Sequence, residues 1–222
     1  MKKALLTLCI ITFSFSVLSQ SVKFGIESGL NLSNLVETES GQSSSGSTLT
    51  GYQMGVFADV GLGDWSLKPG LLYSTKGGRN DVAGTIANNG SSYAYTGTEQ
   101  LNFNYVEVPV NLLYHFHVVI GKIFLGGGPY VAIGTSGTDA LSTTAINNSV
   151  TAFNSTSTPV TFGSAVGDFK KIDYGINLTG GLSLKSGLLF GVGYSTGLAN
   201  LANDGSTLRN NVIRFSVGFT FL

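Results

Sequence analysis

Few residues in this 222-residue chain could do chemistry. His115 and His117 are the only histidines, and no cysteine or dense carboxylate cluster lies near them in sequence. They therefore lack the companions that a metal cage or an acid–base pair requires. Gly126-Gly127-Gly128 has the flexibility of a phosphate-binding loop, but no Lys-Ser/Thr and no helical pattern follow it, so small residues on a crowded strand face are the better reading. The Ser-rich stretch 41–47 reads as a solvated tip, and the Asp and Asn residues around Asp81 and Asp139 match no calcium-cage spacing. No nucleophile, base and orienter can be named together, which points away from an enzyme and implies neither cofactor nor metal site.

Glu107 is the polar residue with most to explain, because it interrupts an apolar run as one member of an alternating pattern. It could serve as a proton or ligand site, but the favoured reading is an ion pair inside a packed interior. Pairing with the nearest base on an adjacent strand predicts Lys68 with Glu107, Arg214 with Glu27 and Lys23 with Asp59.

The elements that must position these groups are strands. Only 11% of residues are charged, about half the usual share, and 31 are glycine, while 42% are hydrophobic and 11% aromatic. Disorder is disfavoured by that apolar content, and a formal net charge of zero excludes an electrostatic footprint for nucleic acid. Period two recurs throughout. Val22, Phe24, Ile26, Leu30 and Leu32 alternate with Lys23, Gly25, Glu27, Gly29 and Asn31, and the last stretch sets Ile213, Phe215, Val217, Phe219 and Phe221 against Arg214, Ser216, Gly218 and Thr220. Eight such stretches can be counted, with short turns after the second, fourth and sixth. Long Ser/Thr/Asn/Gly-rich segments follow the odd ones, the longest at about residues 135–169.

Alternation alone does not say which face meets water. On the apolar face Tyr52, Tyr73, Tyr174 and Tyr194 fall at the loop ends of their strands, and Trp65, Tyr114, Phe219 and Phe221 at the turn ends. Two aromatic belts separated by Val, Leu and Ile are what an interfacial girdle requires. The other face carries Lys23, Glu27, Asp59, Lys68, Lys76, Glu107, Lys122, Asp173 and Arg214, tolerable inside a closed barrel and implausible beside lipid. The expected fold is therefore all-β, an eight-stranded antiparallel up-and-down transmembrane barrel with short periplasmic turns and long extracellular loops. Pro69, Pro109 and Pro129 fall inside proposed strands, where bulges would have to accommodate them, and the parity of Leu101 and Phe103 suggests a register slip near Asn104.

Residues 1–19 read as a cleaved secretory signal: Lys2 and Lys3 precede an apolar run over residues 4–18, too short to span a bilayer as a helix. Cys9, the only cysteine, would leave with it, and residues 20–222 would form the barrel in a bacterial outer membrane.

Several strings then carry a resemblance. They are Gly29-Leu30-Asn31-Leu32-Ser33, the Tyr-x-Glu-x-Pro string within Tyr105-Val106-Glu107-Val108-Pro109-Val110-Asn111-Leu112-Leu113-Tyr114, Gly128-Pro129-Tyr130-Val131, Asp173-Tyr174-Gly175-Ile176-Asn177, and Tyr194-Ser195 with Gly197-Leu198. With these the chain resembles the PorT-like outer-membrane β-barrel family of Bacteroidetes. That resemblance implies an integral outer-membrane protein with a part in envelope or secretion functions. The expected role is a monomeric structural or interaction scaffold in outer-membrane lipid, its extracellular loops binding a protein or ligand; a narrow solute pore and an outer-membrane enzyme are the alternatives.

Overall fold

The computed structural model describes residues 21–39, 41–88, 91–147 and 150–221, so the expected signal segment and Cys9 lie outside the described residues. Ten strands are present among the described residues: β1 (Val22–Glu39), β2 (Gln42–Ser45), β3 (Leu49–Leu62), β4 (Trp65–Asn88), β5 (Ser91–Val118), β6 (Gly121–Asn147), β7 (Val150–Pro159), β8 (Ile172–Leu184), β9 (Leu188–Gly197) and β10 (Thr207–Thr220). Eight of them pair antiparallel in the order β1, β3, β4, β5, β6, β8, β9, β10. The ring closes where β10 returns to β1, from Gly25 opposite Thr220 to Thr38 opposite Thr207. β2 and β7 stand outside it, folded back on β1 and β6.

Short turns close one end of the barrel. Gly63-Asp64 joins β3 to β4, Val119-Ile120 joins β5 to β6, and residues 185–187 join β8 to β9. Gly63 at φ 72° and Gly187 at φ 93° take the left-handed conformation that tight hairpins need.

The other end corrects the sequence reading. The segment expected as a loop at residues 135–169 is mostly strand: β6 runs on to Asn147 and β7 returns as far as Pro159, leaving only residues 160–171 as connection. β4 and β5 likewise continue past their aromatic belt and pair all the way from Trp65 opposite Tyr114 to Asn88 opposite Ser91. Beyond the belt neither sheet face meets lipid, so no parity has to be apolar and the period-two signal disappears although the ladder continues.

Pro69, Pro109 and Pro129 sit within the ring, with Pro159 at the end of β7 outside it, and the three ring prolines are accommodated without an extra residue. The β3–β4 ladder breaks between Leu67 opposite Val60 and Gly70 opposite Phe57, passing Pro69; the β4–β5 ladder breaks between Pro69 opposite Val110 and Leu72 opposite Glu107, passing Pro109; and the β5–β6 ladder breaks between Pro109 opposite Tyr130 and Leu112 opposite Gly127, passing Pro129. Two residues are passed over on each strand, so the missing proline donor falls in a gap in the pairing. The register slip expected near Asn104 is present: Asn104 faces Ser136 and Tyr105 faces Gly134. Thr135 is the extra residue, and its hydroxyl donates to the Asn104 carbonyl at 3.0 Å.

The wall is inverted relative to a water-soluble barrel. Leu125 and Leu178 are each 62% exposed on the outside, in company with Phe24, Ile26, Val56, Val131, Ile176 and Phe215, whereas Phe57, Phe103, Tyr105, Phe124 and Tyr130 are buried inside. Interior glycines make room for those rings. A Cβ on Gly175 would lie 2.7 Å from the Tyr130 ring, and one on Gly181 2.6 Å from Phe124.

Candidate functional site: the barrel interior and its two mouths

At mid-depth a charge network crosses the lumen. Glu107 on β5 is fully buried, and its Oε1 accepts from Arg214 Nη2 at 2.6 Å. β5 and β10 are opposite strands of the ring, so this contact joins the two walls. Lys76 Nζ lies 2.6 Å from Glu107 Oε2 and 3.5 Å from Asp173 Oδ2, and sits 4.2 Å from the centre of the Tyr130 ring. Asp173 also accepts from the Tyr130 hydroxyl at 3.3 Å and from Asn210 Nδ2 at 3.3 Å. Two bases and two acids thus satisfy one another where an isolated charge would be costly.

Nearer the turns, Lys68 Nζ donates to Glu27 Oε2 at 2.7 Å and lies 3.9 Å above the Phe57 ring. The expected partners are therefore exchanged. Glu107 pairs with Arg214 and Lys76 rather than Lys68, and Glu27 pairs with Lys68 rather than Arg214. Lys23 and Asp59 are opposite in register but make no ion pair. Adjacency along the wall gives only part of the answer: Lys76 reaches Glu107 from the neighbouring strand, but Arg214 comes from the opposite wall and Lys68 meets Glu27 from two strands away, because side chains in a narrow barrel project toward the axis. Lys76 and Asp173, on the polar face in the sequence pattern but left unpaired there, complete the network.

The girdle residues lie on the outer wall in two tiers. Tyr52, Tyr73, Tyr174 and Tyr194 are exposed toward the loop end, with the Tyr52 and Tyr73 rings 6.1 Å apart. At the turn end Trp65 and Tyr114 meet edge-on at 5.0 Å, and Phe219 and Phe221 at 5.9 Å.

Above the charge network an apolar plug fills the outer half of the barrel. Phe103 meets Phe169 at 5.0 Å and Phe162 at 6.2 Å, and Leu35, Tyr105, Leu201 and Leu208 pack with them. Phe162 and Phe169 come from the connection after β7, and Leu201 from the one after β9. Lys170 N donates to Leu201 O at 2.8 Å, and Asn203 Nδ2 to Gly163 O at 3.0 Å, so the two connections hold each other in the mouth. The sequence signal for this plug is the pair Phe162 and Phe169 in a short connection, with Val160 packing beside them.

Cavities remain inside the barrel and at both of its mouths. One of about 60 Å³ beside Glu27, Lys68 and Arg214 is room for a few waters. The outer vestibule, about 600 Å³, is bordered by Glu37, Asp81, Glu99 and Asp204. There burial, with Asp139 and Glu37 nearby, raises the Glu99 pKa, whereas hydrogen bonds from Ser206 lower that of Asp204. The turn-end vestibule, about 750 Å³, contains Ser66 and His115, joined at 2.8 Å between Oγ and Nε2, a contact the sequence did not suggest. His117 Nδ1 stands 3.8 Å from Asp64, and no group of three metal-ligating side chains occurs among the described residues.

The inverted wall, the aromatic tiers and the closed ring define an integral outer-membrane barrel. Residues 18–203 match the model of the outer membrane protein beta-barrel domain family, and the chain belongs to that family. Its place is the bacterial outer membrane, with the short turns periplasmic and the long strands extracellular. No curated protein matches the chain. Among solved structures it is similar to Neisserial surface protein A, at 11% identity and TM-score 0.40 over 90% of this chain and 99% of that one. It is also similar to Ail, the attachment invasion locus protein of Yersinia pestis, at 9% identity and TM-score 0.40 over 90% and 98%. A third is the N-terminal barrel of Pseudomonas aeruginosa OprF, at 11% identity and TM-score 0.29 over 90% and 100%.

Proposed function

We propose that this barrel is a closed scaffold that works through its extracellular surface, binding a protein or ligand there as a monomer in the membrane. The carrying observation is that the lumen is obstructed twice while the sheet continues outside. β4 runs 15 residues past Tyr73 to Asn88, which at roughly 3.3 Å per residue is on the order of 50 Å of strand. β5, β6 and β7 accompany it. The β7 sequence, VTAFNSTSTP, has no charge and many hydroxyls, so it offers hydrogen bonds with little electrostatic selectivity. A stable ladder projecting from a blocked barrel suits display better than transport or catalysis. The resemblance to PorT-like barrels supports an envelope or secretion setting for this display.

The test is affinity capture from crosslinked outer membrane with the intact protein and with residues 139–158 replaced by a two-residue turn. The shortened protein is expected to insert and remain heat-modifiable but to lose the captured partner. Unchanged capture would overturn the display reading.

A further inference from the structure

We propose that the periplasmic vestibule is a binding site for a phosphate-type dianion, a site at the opposite end from the extracellular display surface. The charge balance of the interior locates it. Lys76, Arg214 and Lys68 are matched by Glu107, Asp173 and Glu27, so the upper and middle barrel neutralises itself. The vestibule does not. Lys23 on β1, Lys122 on β6 and Lys185 on the turn after β8 line its 750 Å³, and none has a carboxylate within 4.0 Å among the described residues. Asp59 is the one acidic residue among the lining side chains, and as the register partner of Lys23 it offsets a single charge, while Asp64 on the adjoining turn faces His117 rather than a lysine. The excess matches a dianion better than a lone carboxylate. The surrounding wall and lipid are of low dielectric, which concentrates the field in such a cleft.

Neutral polar groups share the same space: Ser66 Oγ and His115 Nε2 meet at 2.8 Å in the vestibule wall, and His117 lies beside them among the lining residues. Trp65 fixes the depth. It belongs both to the vestibule rim and to the turn-end aromatic tier, so the opening lies at the level of lipid headgroups. The phosphate can therefore come from a headgroup of the inner leaflet or from the periplasmic solution, and lysine point charges suit either.

The barrel, folded in a nonionic maltoside detergent at low salt, is titrated by calorimetry with inorganic phosphate and, separately, with short-chain phosphatidic acid, using zwitterionic phosphatidylcholine of the same chain length as the control without net headgroup charge. Saturable single-site binding is expected for at least one phosphate probe and not for phosphatidylcholine. A tighter fit for phosphatidic acid assigns the headgroup source, and equal affinities assign free phosphate. Combining Lys122→Gln with Lys185→Gln should weaken binding by about tenfold or more, and Lys170→Gln with Lys171→Gln at the outer end should leave it unchanged. Heat-modifiability verifies folding; if the double variant does not fold, Lys185→Gln alone, on an exposed turn, should still weaken binding severalfold. Absence of saturable binding by both phosphate probes, or wild-type affinity in the folded vestibule variant, overturns the proposal.

Discussion

Glu107 concentrates the energetics of the interior, because one buried carboxylate holds Arg214 from the far wall and Lys76 from the neighbouring strand. Removing it leaves two buried bases with Asp173 alone to share. Glu107→Ala is expected to cost about 3–5 kcal/mol, and adding Arg214→Ala should cost much less than the sum of the single changes. Unfolding by urea in detergent micelles measures the cycle, and additive losses would mean that the contact is energetically idle. Glu99 behaves in the opposite sense. Its raised pKa means that the folded state keeps a proton over a pH range in which the unfolded chain has released it, so stability falls as pH rises through that range. An NMR titration of the Glu99 carboxyl should show a midpoint above the ordinary glutamate value, and Glu37→Gln should move it down. A midpoint at the ordinary value would remove Glu99 as a source of pH dependence. The interior placement of Glu27, Lys68, Glu107 and Arg214 was legible in their parity; their partners were not, because parity tells which face a residue occupies and not which wall it reaches.

At the scale of elements, legibility followed the solvent. Where strands cross lipid, one face must be apolar, and the pattern over Ile213, Phe215, Val217 and Phe219 could be read directly. The extracellular halves of β4, β5 and β6 are held by the same backbone ladder, but water on both sides removes the pattern, so they read as loops. Strand length was consequently underestimated and loop length overestimated, whereas strand order and the short turns were right. The bulge lies where the reading of Leu101 and Phe103 placed it but not for that reason: both keep the inward parity of Glu107 and join the plug, and the extra residue, Thr135, is on β6. The plug was illegible as packing because Phe162 and Phe169 are brought to Phe103 by long-range closure rather than by local pattern.

The whole molecule is a barrel blocked in series, and that arrangement makes its transport behaviour testable. The charge network spans the lumen at mid-depth, and the Phe103, Phe162 and Phe169 cluster fills it further out. Eight strands leave an interior only wide enough for side chains, so either layer suffices to break a water column. Wild-type protein in planar bilayers should show no steady conductance. Phe162→Ala with Phe169→Ala opens only the outer layer and should remain silent, as should Glu107→Ala, which leaves the plug in place. Joining the three changes should produce small, steady currents. Lys76 and Arg214 would then face the lumen with Asp173 as the single nearby acid of the network, so those currents should select anions. Steady porin-like conductance from the unmodified barrel would contradict the serial block and favour a pore over a display scaffold, whereas conductance after the plug changes alone would show that the charge network does not seal the barrel.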